Sequence, residues 1–146
     1  MLRDGKELEV TFETLALSGA GIDRVASWAG LLLHEPHEEV EAQQGFKAAG
    51  VYIAWLWYGS PASRYGLRPT RRVVAVDDTP TPTLDAFLDA VQGRPDRDPV
   101  RLTLEKLDGS VVVQTLKLDL RYWPTQVFQR DEQGAWSRSE WDEGQR

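Results

Sequence analysis

The chain has 146 residues, a length that suits one folded domain with flanking segments. Its formal net charge is −6 and it has no long basic run, so it lacks the electrostatic attraction that dominates binding to nucleic acids. The absence of cysteine excludes disulfides, thiolate catalysis and cysteine-ligated metals, and no apolar run approaches the roughly 20 residues needed to cross a bilayer.

The N-terminal segment alternates polar and apolar residues from Glu7 to Glu13, which is the period of a half-buried strand. Asp4-Gly5 is a dipeptide typical of tight hairpins and predicts a partner strand before it. A strand pattern directly after Met1, with no signal-peptide hydrophobic region, favours an excerpt from a longer chain. We expect residues 1–23 to be a strand and linker from a preceding module.

Three elements are expected in the next part of the chain. The apolar run from Trp28 to Leu33 predicts a buried strand. Residues 37–44 follow Pro36 and carry several acidic side chains, which favours a short helix. The aromatic and β-branched segment from Val51 to Trp57 predicts a further strand.

The second half begins with a Ser60-Pro61 turn that leads into one helical turn closed by Gly66. A brief strand is expected from Val73 to Val76. Thr83 can then cap a helix over residues 84–91, whose apolar positions recur at i, i+3, i+4 and i+7 and share one face.

Near the C-terminus, Asp108-Gly109 predicts a hairpin between strands at residues 100–104 and 111–118. From about Gln129 the chain is polar and charged, and we expect it to be loose. Many short strands with two modest helices predict a mainly β (α+β) fold, a small, partly open barrel or sandwich.

The residues from Gly59 to Ala62, followed by Tyr65-Gly66-Leu67, resemble the signature of PDZ domains. Five later positions occupy further places of that signature: Val73, Val76, Asp77, Asp78 and Pro80.

The element order is similar to that of the permuted PDZ domains of HtrA/DegP serine proteases, over about Arg24 to Leu118. Two stretches, Tyr52–Tyr58 and Leu120–Thr125, resemble the long HtrA-like proteases of fungi and their bacterial relatives. The resemblance implies a PDZ domain at residues 24–119 and a partly disordered C-terminal extension at 120–146.

The resemblance also implies a peptide site. PDZ domains add a ligand as a strand to a sheet edge and hold its terminal carboxylate on loop amides. The segment Trp28–Leu31, with Ala29 and Gly30 at its centre, stands where that loop belongs, and Arg24 is placed to assist the carboxylate. The expected peptide-binding residues are Arg24, Trp28, Ala29, Gly30, Leu31, Leu32, Leu33, Leu84 and Leu88.

The expected function is therefore that of a non-catalytic module of an HtrA-like protease, which binds C-termini or exposed apolar segments of protein substrates. The alternative is a structural module whose groove is filled by Trp28 or by its own flanks and which mediates contacts between domains or subunits. Expected partners are protein segments, the parent's protease domain and a second copy. No cofactor, nucleic acid or membrane insertion is expected, and the expected location is the bacterial periplasm.

Other candidate sites fit less well. His34 and His37 lack the spacing of a helical zinc motif, and Ser60 lacks a nucleophile elbow. Trp55 and its aromatic neighbours could form a contact surface, although core packing is the more ordinary role for such residues.

Overall fold

The computed structural model describes residues 2–3, 6–7, 11, 21–44 and 48–139. Within them the strands are β1 (Leu2–Arg3), β2 (Lys6–Glu7), β3 (Arg24–Trp28), β4 (Leu31–His34), β5 (Val51–Leu56), β6 (Arg72–Val76), β7 (Thr79–Pro80), β8 (Pro99–Glu105), β9 (Val111–Lys117), β10 (Gln126–Arg130) and β11 (Trp136–Ser139). The helices are α1 (Glu38–Gln44), α2 (Pro61–Arg64) and α3 (Leu84–Val91).

One antiparallel sheet organises the domain. Its strands follow the order β11-β10-β3-β4-β5-β6-β8-β9, and β7 pairs with β6. The small hairpin of β1 and β2 forms a separate sheet, and it confirms the partner strand predicted before Lys6. Most of the strand predicted at residues 7–13 lies outside the described residues.

Side-chain caps mark the starts of α2 and α3: the cap on α3 confirms the prediction for Thr83, and α2 begins at the predicted Ser60-Pro61 turn. Ser60 caps α2 by accepting a hydrogen bond from the Ser63 amide at 3.2 Å, and Thr83 caps α3 by accepting from the Ala86 amide at 3.2 Å. The predicted apolar stripe of α3 is confirmed, because all four of its members are buried: Leu84, Phe87, Leu88 and Val91. These four side chains belong to the same core cluster as buried residues of the sheet, among them Trp28, Ile53 and Leu102.

The hairpin predicted at Asp108-Gly109 is also confirmed. β8 and β9 pair along their whole lengths, from Pro99 opposite Lys117 to Glu105 opposite Val111. The Asp108 carboxylate accepts the Ser110 amide at 2.9 Å, which stabilises the turn.

Two expectations for the chain's path are wrong. The run from Trp28 to Leu33 is not one strand, because a two-residue turn divides it between β3 and β4. The chain is not loose directly after Gln129, because β10 and β11 form a hairpin there and β10 pairs with β3. The division into modules at residues 23 and 119 stays a prediction.

None of the helices in the described residues is long and apolar enough to cross a membrane.

Candidate functional site

The turn between β3 and β4 consists of Ala29 and Gly30, with backbone φ angles of 50° and 80°. Two successive positive φ angles are the signature of the type I′ turn, which matches the twist of an antiparallel hairpin. Its carbonyl oxygens face neighbouring elements, since Ala29 accepts from the Ala62 amide at 3.1 Å and Gly30 from the Trp57 amide at 3.0 Å. The predicted loop is thus a closed hairpin turn fixed to α2 and to the end of β5.

Glycine is required at position 30 for two reasons. Its φ of +80° is one that residues with a side chain rarely adopt. A Cβ placed there would also lie 2.0 Å from the Cβ of Ser60 and 3.3 Å from Cε3 of Trp123. Gly30 therefore allows the turn to pack directly against the buried cap of α2.

Trp28, the last residue of β3, is fully buried against α3. Its ring meets that of Phe87 edge to face, with centroids 5.3 Å apart. Leu84 and Leu88, which were predicted to line a pocket for the peptide's last side chain, are buried in the same core cluster as Trp28. Side chains of the domain itself therefore fill the space that this pocket would need. The indole nitrogen of Trp28 is buried and has no hydrogen-bond partner among the described residues.

Arg24 lies at the opposite end of β3 from the turn. Trp28 is four positions further along the strand, a distance of about 13 Å. Its guanidinium pairs with the Asp85 carboxylate in the first turn of α3, at 2.5 Å. The sequence analysis placed Arg24 beside the loop at Gly30, but in the structure the two lie at opposite ends of β3. Arg24 instead ties β3 to α3.

The strand predicted to receive a peptide, β4, is hydrogen-bonded on both sides. β5 pairs with one edge, and β3 pairs with the other in the register Ala26 opposite Leu33 and Trp28 opposite Leu31. The predicted facing of the leucines is confirmed, since Leu31 and Leu33 are fully buried and Leu32 is half-buried on the other face. Strand β3 therefore occupies the position that an added peptide strand would take.

Strand β10 lies on the outer side of β3, with Val127 opposite Ala26 and Phe128 opposite Val25. Both Val127 and Ala26 are buried. The sequence analysis did not predict β10, because the segment from Gln126 to Arg130 is short and mostly polar. Peptide binding by the nine residues named from the sequence stays a prediction, but the open edge it requires is closed in this structure.

The two histidines form an aromatic cluster with Tyr52, with all three ring centroids 5.4 Å apart. Nδ1 of His34 donates to the Glu35 carbonyl oxygen at 2.6 Å. Burial lowers the pKa of His34; its hydrogen bond to Glu35 opposes this, and the nearby His37 adds to it. Across the described residues, no group of three or more acidic or histidine side chains is placed to hold a metal ion.

One end of the domain exposes several aromatic side chains, contrary to the expectation of core packing. Trp55 is 56% exposed and Tyr58 is 88% exposed. Trp57 is also exposed and lies 6.4 Å from Trp123, measured between ring centroids. The contact surface considered from the sequence is thus present as an exposed surface.

No protein-family model matches the chain. It is 40% identical over 143 residues to Protease Do-like 7 of Arabidopsis thaliana, covering 95% of the chain and 13% of that protein. It is 33% identical over 146 residues to the pro-apoptotic serine protease NMA111 of Chaetomium globosum, covering 99% of the chain and 14% of that protein. The chain therefore spans only a small part of the length of these relatives.

Solved structures show the same fold. The PDZ domain of HtrA3, bound to a phage-derived ligand of sequence FGRWV, aligns with 78% of this chain over 99% of its own length, at a TM-score of 0.51 and 15% identity. The HtrA-type protease AlgW with a decapeptide aligns with 65% of this chain over 29% of its own, at a TM-score of 0.55 and 19% identity. These alignments confirm the predicted PDZ-like, mainly β fold.

Proposed function

Because the chain is homologous to a segment of the HtrA-like serine proteases and has a PDZ-like fold, we propose that it serves such a protease as a non-catalytic module whose peptide-binding edge is closed by its own strand β3. The observation that carries this proposal is the position of β3 between β4 and β10. In this role the domain makes contacts between domains or subunits and does not capture peptide ends.

The closure is supported by both the backbone and the side chains of β3. A peptide adds to a PDZ-type edge through main-chain hydrogen bonds, and alternate side chains enter the groove. On β3 the main chain pairs with β4, while Ala26 and Trp28 are fully buried and Trp28 packs against Phe87. To admit a peptide, β3 would have to break its pairing with β4 and either leave β10 or move together with it.

A second candidate function is peptide recognition after β3 has been released. The HtrA3 PDZ domain and AlgW are described with bound peptides, which favours this candidate for a chain of the same fold. The buried indole nitrogen of Trp28 also lacks an acceptor in the described residues, and an unsatisfied buried donor of this kind costs about 1–3 kcal/mol. That cost would be recovered if β3 left the groove.

The proposal also covers the partners of the module and its cellular location. The module would contact the protease domain of its parent protein or a second copy of itself. A periplasmic location stays a prediction.

The two candidates differ in the protection of the β3 backbone, which amide hydrogen exchange measures residue by residue. If the groove is closed, the β3 amides exchange as slowly as those of β4 and β8. If β3 is released readily, its amides exchange much faster than those of β4. The 146-residue chain is suitable for this measurement by NMR.

Titration with the peptide FGRWV provides the second measurement. A closed groove gives no saturable change in the amide signals of β4 or α3 up to millimolar peptide. Saturable shifts centred on Leu31 and Leu88 would instead overturn the closed-groove proposal and favour peptide recognition. The same peptide with an amidated C-terminus is the control, because it lacks the carboxylate that a PDZ-type loop holds.

A further inference from the structure

The aromatic end of the domain contains a small depression at the junction of β5 and α2. It has a volume of about 120 Å³ and is bordered by Trp55, Tyr58 and Arg68, with the buried Leu67 among its lining residues. This volume is well below the roughly 300–1,000 Å³ of typical small-molecule pockets, so it suits a single anchoring side chain. Arg64 is exposed and follows directly on α2 after Ser63, which lines the depression.

Of the described residues that line the depression, the one that is charged, Arg68, is opposite in sign to the net charge of the chain. The segment from 42 to 76 contains five basic residues and no aspartate or glutamate, although the chain carries a net charge of −6. Arg64 and Arg68 are exposed members of this segment. The depression therefore lies in a basic part of the sequence of an acidic protein.

Arg64 and Arg68 also differ from five other arginines of the fold by having no acidic partner in the part of the chain that the structure describes. Five arginines elsewhere have a carboxylate within 4.0 Å: Arg24, Arg72, Arg94, Arg97 and Arg101. Among the described residues, neither Arg64 nor Arg68 has one. Arg68, which borders the depression together with Trp55 and Tyr58, thus has no ion pair within the described ranges, and neither has the exposed Arg64.

From this combination we propose that the surface formed by Trp55, Tyr58, Arg64 and Arg68 docks an acidic protein segment that carries an apolar or aromatic residue. The guanidinium groups can bind carboxylates in bidentate fashion, and the depression takes the apolar side chain. Tryptophan, tyrosine and arginine are the residues most enriched where a few side chains provide most of the binding energy. An acidic segment with one apolar residue is favoured over a nucleic acid because the depression has room for a single side chain and because two arginines are too few to follow a phosphate backbone.

The probe for this proposal is a phage-displayed library of random 12-residue peptides fused at their C-terminal ends to the coat protein. Such peptides offer no free carboxylate terminus, so selection through a PDZ-type groove that recognises C-termini is excluded. Panning against the 146-residue chain is expected to enrich aspartate and glutamate around one apolar or aromatic residue. The enriched peptide is then synthesised with an amidated C-terminus and titrated by Trp fluorescence.

Two variants and two matched controls locate the site. Arg64→Glu combined with Arg68→Glu should weaken binding of the selected peptide at least tenfold, and Trp55→Ala should do the same. Arg138→Glu on β11 and Tyr122→Ala, both exposed and outside the depression, should change the affinity less than twofold. Thermal melts of each variant confirm that the fold is intact.

Three outcomes would overturn the proposal: a selection with no acidic enrichment, binding that survives both depression variants, or tighter binding to a 20-nucleotide oligo(dT) than to the peptide. The last of these would identify the surface as a nucleic-acid contact. None of these outcomes depends on whether β3 closes the groove, so the result stands apart from the proposed function.

Discussion

The ring of Trp28 stands perpendicular to that of Phe87, with centroids 5.3 Å apart, and this contact joins the last residue of β3 to the middle of α3. Both side chains are fully buried. An edge-to-face pair of this kind contributes about 0.5–1.5 kcal/mol beyond the area it buries. The contact thus holds β3 in the groove by its side chains as well as by its backbone.

Replacement of Trp28 should separate the effects of size and polarity. Trp28→Ala leaves a cavity beneath α3 and should reduce the free energy of unfolding by about 3–5 kcal/mol. Trp28→Phe keeps a ring against Phe87 and removes the unpaired indole nitrogen, so it should cost less than about 1.5 kcal/mol. Urea denaturation of both variants gives the two values. Equal losses would show that Trp28 does not fill a packed pocket.

Gly30→Ala should destabilise the fold far more than the same change at Gly59. Both glycines have a φ near +80°, which costs an alanine about 1–2 kcal/mol. Only at position 30 does the new Cβ meet another atom, the Ser60 Cβ at 2.0 Å, which should add about 1–3 kcal/mol. Melting temperatures of the two variants test this difference. If they fall by the same amount, the close packing of the turn on α2 is incorrect.

The Arg24–Asp85 pair should contribute little energy despite its position at the end of the closed groove. The Asp85 side chain is 70% exposed and that of Arg24 is 31% exposed, so solvent screens the attraction. A double-mutant cycle with Arg24→Gln and Asp85→Asn should give a coupling below about 1 kcal/mol. A coupling above about 2 kcal/mol would show that this ion pair is not screened by solvent and helps to hold β3 against α3.

The ion pair between Arg72 and Glu105 should be more important to stability. Arg72 is buried with its guanidinium 2.6 Å from the Glu105 carboxylate, and it also donates to the Ala49 carbonyl oxygen. Removing the carboxylate leaves a buried cation without its partner, so Glu105→Gln should cost about 2–4 kcal/mol.

The control for that change is Asp78→Asn, which breaks the exposed pair with Arg101 and should cost less than 1 kcal/mol. Chemical denaturation at pH 7 compares the two variants. Similar losses would indicate that Arg72 is reached by water in solution.

Stability should fall in mild acid because of His34. Burial holds the pKa of this imidazole below its ordinary value, so the unfolded chain binds a proton more readily than the folded one. The contribution is present above about pH 6.5 and is lost as the pH falls from there through the folded-state pKa. Urea unfolding of the native chain and of His34→Gln at pH 7.5, 6.0 and 5.0 measures it. If the two proteins lose stability in parallel, His34 is not the group responsible.

The elements with local chemical signals could be predicted from the sequence. Thr83 has a side chain that satisfies a helix N-terminus, Ser60-Pro61 turns the chain into α2, and Asp108-Gly109 has the conformations that a hairpin turn needs. Each of these signals lies within a few residues, so no knowledge of the distant chain was required. The apolar stripe of α3 is likewise a property of its own eight residues.

A groove filled by Trp28 or by the flanks was the alternative drawn from the sequence, but the pairing of β3 that closes it could not be predicted in the same way. The turn at Ala29-Gly30 places an alanine at a positive φ, where asparagine or aspartate is the usual signal, so the apolar run appeared continuous. β10 forms because β3 offers it an edge about 100 residues away in sequence, and its own five residues carry little strand preference. Both misses concern pairing between segments, which a local pattern does not contain.

Because the turn between β3 and β4 has only two residues, β3 competes strongly with any free peptide for the edge of β4. A strand tethered this closely is present at its docking edge at an effective concentration on the order of millimolar or higher. A free peptide at about 10 μM would therefore have to bind that edge roughly 100-fold more tightly than β3 does to occupy it half of the time. Any physiological ligand of this edge would need either high local abundance or a second event that pulls β3 away.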